Sequence, residues 1–182
     1  MAKLVEKVYG EALFELAIEE GRTKELLNEA TEIRQALSDN PDFEKLMLNP
    51  AVPGEEKEKI LAAVWQERIG SEIFGTMRLL LKKEHYKQLP LVLDYFIARV
   101  KDAEKIGIAY VTTAVALSEA QCAKVEKRLL ETTAYQSVEM HYEVDPALIG
   151  GMVIRIGDRV VDSSIRTKLE NISRQLYQIK LQ

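Results

Sequence analysis

Apolar residues recur at spacings of three and four over the first hundred positions, then switch to alternation, then return to three and four at the end. The early pattern predicts six helices. The first spans residues 3–20 and stops at Gly21; the second, over 23–37, sets Leu26, Leu27, Ala30, Ile33 and Leu37 on one face. A third begins after Asp39-Asn40 with Pro41 in its first turn, carries Phe43, Leu46 and Met47, and ends at Pro50 and Pro53. The fourth opens at Gly54-Glu55-Glu56, where carboxylates complement the helix dipole, and carries Ile60, Leu61, Val64 and Trp65. Ser71 is placed to cap a fifth with Ile73, Phe74, Met77, Leu80 and Leu81, and Pro90 to start a sixth with Leu91, Val92, Tyr95, Phe96 and Val100. Short connections between amphipathic helices predict a compact bundle.

Beyond residues 101–107 the pattern changes. The β-branched run Ile108 to Val115 predicts a strand, and Ser118 with Gln121 three positions later has capping-box spacing for a helix carrying Val125, Leu129 and Leu130. Val138, Met140, Tyr142 and Val144 alternate with Glu139, His141 and Glu143, as a strand with one buried face requires. Strand, helix and strand in that order make a βαβ unit with an expected right-handed crossover. Met152–Ile156 and Arg159–Val161 predict two more strands joined at Gly157-Asp158, a pair suited to a type II′ turn. Asp162 or Ser163 then stands where the final helix needs a cap. The expected fold is α+β in two domains. Residues 1–105 form a six-helix bundle, and residues 106–182 a small α/β module with a C-terminal amphipathic helix.

Composition narrows the function. A hydrophobic fraction of 47% and a charged fraction of 30% suit a globular chain of 182 residues. No apolar run approaches the length needed to cross a bilayer, and acidic residues come too early for a signal peptide, so a cytosolic location is expected. Net charge is -4, and residues 107–182 balance acid and base, so neither half offers a basic nucleic-acid footprint. An RNA-binding βαβ module is further disfavoured by strands without paired aromatics. The single cysteine, Cys122, excludes an intramolecular disulfide and a multi-thiolate metal site, while His85 and His141 lie far apart without a ligand pattern. No cofactor is expected.

The candidates for chemistry each have a plainer reading. Gly150-Gly151 precede a strand, whereas phosphate-cradling glycines follow a strand and open a helix, so the pair predicts a close backbone approach. Asp145, Asp158 and Asp162 could be read as a catalytic cluster, but they stand at a turn before Pro146, in a hairpin loop and at a helix start. No nucleophile, histidine or metal partner is next to them. Both histidines are expected in solvent.

Two helices carry more apolar surface than one neighbour can bury. In the first, Leu4, Val5, Val8, Tyr9, Ala12, Leu13, Leu16 and Ala17 sweep half the circumference, with Phe14 and Ile18 beyond that arc. Either the helix lies centrally in the bundle or it lines a groove for a helix of another chain. In the last, Ile165, Leu169, Ile172, Leu176 and Ile179 form a heptad-like seam. Ile165, Leu169 and Ile172 are expected to pack on the small sheet, leaving Leu176 and Ile179 for a partner.

Particular residues also carry a family resemblance. Tyr9-Gly10-Glu11-Ala12-Leu13-Phe14-Glu15-Leu16-Ala17, Asn49-Pro50 through Pro53 with Glu55-Glu56-Lys57, and above all Asp145 to Leu169 resemble the δ subunits of bacterial F-type ATP synthases. These are counterparts of the mitochondrial oligomycin-sensitivity-conferring subunit. In the last segment the matching pieces are Asp145-Pro146, Leu148-Ile149-Gly150-Gly151, Arg155-Ile156-Gly157-Asp158, Val161-Asp162-Ser163-Ser164-Ile165 and Lys168-Leu169. The resemblance covers the whole chain. Gly10 and Ala134-Tyr135-Gln136 depart from the family's usual residues.

The resemblance implies a non-catalytic stator subunit that links the catalytic head to the peripheral stalk during proton-driven ATP synthesis. It implies peripheral attachment at the cytoplasmic face of the cell membrane, reached only through the complex. It also implies a groove between the first and fifth helices, carrying Tyr9, Ala12, Leu13, Leu16 and Ile73, Met77, Leu80, Leu81, for the N-terminal helix of an α subunit. The C-terminal module would engage the b subunits of the stalk. Gly150, Gly151, Gly157, Asp158 and Asp162 would be structural.

Overall fold

The computed structural model describes the backbone of residues 2–179 and the side chains of residues 4–175. It divides into two compact units, residues 1–101 and 102–182, a boundary four residues before the expected one.

The first unit is helical: α1 (Ala2–Glu19), α2 (Thr23–Asp39), α3 (Pro41–Leu48), α4 (Gly54–Trp65), α5 (Ser71–Lys82), a 3-10 turn at Tyr86–Gln88 and α6 (Leu89–Ala103). Most positions that the apolar spacing assigns inward are buried or half-buried, whereas Leu46 of α3 and Leu91 of α6 are exposed. On α2 the five expected residues, Leu26, Leu27, Ala30, Ile33 and Leu37, are all buried. Leu13, Phe14 and Ala17 of α1, Met47 of α3, Leu61 of α4, Ile73, Met77 and Leu80 of α5, and Leu89, Val92, Leu93, Phe96 and Val100 of α6 are the other buried apolar side chains of the unit's core. At about 25 cal/mol per Å² of apolar surface removed from water, this burial is the main term holding the helices together.

In this unit the start of α5 departs from expectation. Ser71 is the first residue of α5 and makes no capping bond; Gly70 occupies the cap, and its backbone N–H donates to Glu29 Oε2 at 2.7 Å. A carboxylate from α2 thereby satisfies the backbone donor of the cap residue itself. Another end follows its residues closely. After α1, Gly21 takes φ +66°, the Arg22 N–H donates to the Ala17 carbonyl at 3.0 Å and the Gly21 N–H to the Ile18 carbonyl at 3.1 Å, a Schellman stop.

The second unit is a four-stranded mixed sheet in the order β2-β1-β3-β4. β1 (Ile106–Thr113) and β2 (Ser137–Val144) run parallel, joined through α7 (Glu119–Thr132), while β3 (Met152–Ile156) lies antiparallel to β1 and β4 (Arg159–Asp162) antiparallel to β3. The expected βαβ order is present, and the Ser118 N–H donates to Gln121 Oε1 at 2.8 Å in the capping box that opens α7. Ala109, Leu129, Val138 and Ile156 form the core, with Val125, Leu130, Tyr135, Met140 and Ile154 packed against it. The alternation on β2 buries less than expected. Val138 is buried and Met140 half-buried, but Tyr142 and Val144 are exposed because the strand runs on past the core. A 3-10 turn at Pro146–Leu148 precedes β3, and α8 (Ile165–Ile179) follows β4.

Candidate functional site

α1 is fixed by polar contacts to α6. Glu11 accepts from the Tyr95 hydroxyl at 2.9 Å and from Arg99 Nε at 3.3 Å, and the Arg99 guanidinium lies 4.6 Å from the Phe14 ring centroid. The Tyr95 hydrogen bond holds the Glu11 carboxyl below its ordinary range, and the same bond raises the Tyr95 phenol. Gly10 permits the approach, since a Cβ there would stand 2.5 Å from Tyr95 Cδ1. The residue that departs from the family's usual choice is a packing requirement.

With that orientation set, the expected groove residues separate. Leu13 is 2% exposed and Ile73, Met77 and Leu80 are wholly buried, so these four are core side chains and present no surface to a partner. Tyr9, Leu16 and Leu81 are half-buried and Ala12 is exposed. Leu4 (68% exposed) and Val8 (56% exposed) stand with Ala12 at i, i+4 and i+8, an apolar ridge along one side of α1. One side of the broad arc is therefore buried among the helices and the other faces outward. The signal for Leu4 and Val8 lay in the width of that arc, but spacing alone could not say which side was covered.

In the second unit the glycines build the seat of α8. Gly151 takes φ +75°, and a Cβ on it would lie 2.4 Å from the Ser163 carbonyl oxygen; at Gly150 a Cβ would lie 2.7 Å from Ile165 Cδ1. The Gly150 carbonyl accepts from the Ile165 N–H at 2.9 Å, and the Met152 carbonyl accepts from the Ser163 N–H and hydroxyl, each at 2.9 Å. Ile149 is exposed at φ +66°, a strained setting for a β-branched side chain. Sequence spacing gave no sign of that strain.

The cap of α8 is Ser164, not Asp162 or Ser163. Its buried hydroxyl accepts from the Thr167 N–H at 3.2 Å. Asp162 supports this cap from two residues earlier, accepting from the Ser164 N–H at 2.8 Å and from the Thr167 hydroxyl at 2.7 Å; those bonds, the Thr167 bond first, hold its carboxyl below the ordinary range. Asp145 accepts from the Ala147 N–H at 2.9 Å, and Asp158 sits beside Gly157, at φ +55°, in the two-residue loop between paired Ile156 and Arg159. The three aspartates thus have separate structural jobs. Tyr135 was overlooked in the sequence: its ring packs where a Gly107 Cβ would stand, at 2.7 Å, and its hydroxyl lies 3.3 Å from the Cβ position of Gly157.

On α8 the expectation is overturned. Ile165, Leu169 and Ile172 are 41%, 52% and 52% exposed, so the sheet does not cover them. The helix is seated by its first turn, against Gly150 and the Pro146–Leu148 turn, and its apolar face continues outward from there. The side chains of Leu176 and Ile179 lie outside the described residues. His141 is exposed as expected, with its ring stacked on Tyr110 at 5.0 Å, and Arg155 lies 4.7 Å from the other partner in that row, the Tyr110 ring.

Among the described residues no group of three or more His, Cys, Asp or Glu side chains is placed to hold a metal ion, and no helix is long and apolar enough to cross a membrane. The arrangement offers helical ridges on well-anchored helices.

Comparison with known proteins gives these ridges a context. The sequence model of the ATP synthase delta (OSCP) subunit family matches residues 5–176. An ATP synthase subunit delta of Lachnoclostridium phytofermentans is 39% identical over 181 residues, covering 100% of both chains, and one of Alkaliphilus oremlandii is 28% identical, covering 98% of this chain and 99% of its own. A chain of the Toxoplasma gondii mitochondrial ATP synthase hexamer has the same fold, with a TM-score of 0.70 at 21% identity over 94% of this chain and 97% of that one. The chain belongs to the ATP synthase delta (OSCP) subunit family and is a structural, non-catalytic subunit of the F-type ATP synthase.

Proposed function

We propose that each unit grips a helix of a different subunit, so that the chain ties the catalytic head of the synthase to its peripheral stalk. The first unit acts as a six-helix bundle ending near residues 101–105, and takes the N-terminal helix of an α subunit. The second, from residue 106 onward, takes the b subunits. The observation that carries this reading is the pair of uncovered apolar ridges, Leu4-Val8-Ala12 on α1 and Ile165-Leu169-Ile172 on α8.

Of the expected groove residues, Tyr9, Ala12, Leu16 and Leu81 contact the α-subunit helix directly. Leu13, Ile73, Met77 and Leu80 act from beneath by holding α1 and α5 in place. On α8 the contact for the stalk includes Ile165, Leu169 and Ile172 and continues to Leu176 and Ile179. Gly150, Gly151, Gly157, Asp158 and Asp162 fix the direction in which α8 leaves the sheet. A stator must resist torque, so a rigid seat at the base of a contact helix suits the task. The subunit sits at the cytoplasmic face of the membrane through its partners, in a complex driven by protons.

Calorimetric titration of the full chain with a peptide of the α-subunit N-terminal helix tests the first half. Val8→Asp should weaken binding about 30-fold, a loss of about 2 kcal/mol, while the fold persists. Equal affinity for both proteins would remove α1 as the contact. Titration with the C-terminal segment of b, against Ile172→Asp, tests the second half in the same way.

A further inference from the structure

Where α1 ends, α2 begins and α5 begins, acidic side chains crowd around a single guanidinium. Arg22 gives Nε and Nη2 to Glu25 at 2.9 and 3.0 Å, and Nη1 to Glu72 Oε1 at 2.8 Å. The Glu20 carboxylate reaches the same Nη1 but stands off at 3.5 Å. Glu29 approaches from α2, bonded to the Gly70 N–H, and Ser71 donates its hydroxyl to Glu72 Oε1 at 3.0 Å. The Glu72 side chain is only 7% exposed, and its second oxygen, Oε2, is buried with no hydrogen-bond donor.

A buried carboxylate oxygen without a donor is costly, and several carboxylates around one cation repel one another. One extra proton relieves both conditions, by turning a neighbouring carboxylate into a donor. We propose that Glu20 and Glu72 share one proton taken from solvent, and that this O–H···O contact beside Arg22 latches the end of α1 to the start of α5. The Glu20 hydroxyl donates and the Glu72 carboxylate accepts, so the pair carries one negative charge instead of two beside the guanidinium that Glu25 also shares.

The acidities run in the direction this requires. Glu20 is raised above its ordinary 4.5, first by its hydrogen bond with Glu72, then by burial and the Glu72 charge. For Glu72 burial pushes upward, but hydrogen bonds from its own backbone N–H, Glu20 and Ser71 and the Arg22 charge bring it below 4.5. The native chain therefore holds the Glu20 proton more tightly than the unfolded chain does. That contribution is present at low pH and is lost as pH rises through the folded value of Glu20. The Arg22–Glu72 pairing has the opposite limit and is lost as pH falls through the lowered value of Glu72. The latch is complete between the lowered value of Glu72 and the raised value of Glu20, a window that contains pH 4.5. It rests on local geometry and holds whether or not a partner occupies α1.

The test uses the full chain with glutamate side-chain carboxyls observed by carbon-13 NMR, in the wild type, E20Q and E72Q, alongside thermal unfolding of each. Glu20 should titrate above an ordinary glutamate in the wild type and return to the ordinary range in E72Q. E20Q supplies a permanent donor, so its Tm should exceed the wild type by about 2–4 °C near pH 7.5, and the gap should narrow as pH falls through the raised value of Glu20 and close only below the ordinary 4.5. An ordinary titration of Glu20, a shift that survives in E72Q, or an E20Q gap that stays constant with pH would each overturn the proposal.

Discussion

Gly151 lies so close beneath Ser163 that a β-carbon on it would stand 2.4 Å from the Ser163 carbonyl oxygen. This contact joins the start of β3 to the residues that launch α8. Because the obstacle is backbone, no side-chain rotation relieves it. Gly151→Ala should destabilise the second unit by about 3 kcal/mol or more, combining the clash with the cost of a positive φ. Gly21→Ala is the control: it shares a positive φ of +66° but meets nothing within 4 Å, and should cost only about 1 kcal/mol. Denaturant unfolding of the two variants compares them directly.

The cap of α8 gives a second prediction. Ser164→Ala removes the acceptor for the Thr167 N–H and should cost about 1 kcal/mol. Asp162 adds a pH dependence of known sign. Its folded acidity is shifted below the unfolded value, so its contribution is present above the unfolded pKa and is lost as pH falls through the folded one. The stability difference between wild type and Asp162→Asn should stay constant near neutrality and shrink once pH falls below the ordinary 3.8 and through the lowered folded value of Asp162, as read from unfolding midpoints at several pH values.

On α1, two leucine-sized positions should answer differently. Leu13, at 2% exposure, belongs to the core, and Leu13→Ala should cost about 2–5 kcal/mol. Leu13→Asp should abolish the fold of the first unit, because an unpaired carboxylate cannot be buried there. Leu4→Asp, at a position 68% exposed, should leave the melting temperature nearly unchanged. Circular dichroism melts separate the two outcomes, and similar losses at both sites would mean that the ridge is covered.

Gly10 yields the least intuitive expectation. Replacing a glycine inside an isolated helix with alanine normally gains about 1 kcal/mol. Here the new methyl group would meet the root of the Tyr95 ring, with Cδ1 at 2.5 Å and Cβ at 3.3 Å. Gly10→Ala should therefore destabilise the chain by about 1–3 kcal/mol. The double variant Gly10→Ala with Tyr95→Ala should recover part of that loss, and a thermodynamic cycle over the four proteins measures the coupling.

Periodicity made the helical faces legible wherever one side is wet and the other dry. The inward side of α2 is a case where every assigned residue is buried. The same logic placed β1 to β4 and the turn at Gly157, since alternation and turn chemistry are local properties. It failed where an element extends past what covers it. Tyr142 and Val144 have the spacing of buried residues but outrun the core, and Ile165, Leu169 and Ile172 have the spacing of a packed face with nothing from the sheet against it. Ser164 was passed over as a cap because three neighbouring polar residues could each serve, and only backbone direction selects among them.

By itself the sequence determined the order and kind of the elements, the close approach at Gly150-Gly151, and membership of the ATP synthase delta family. Those depend on neighbours in the chain: spacing, turn residues and motifs read without knowing what lies opposite. The tertiary structure alone decided which half of the α1 arc is core, why Gly10 faces Tyr95, and how Glu20, Glu72 and Arg22 meet. These depend on residues 50 to 90 positions apart being brought within a few ångströms, and no local pattern encodes such a distance.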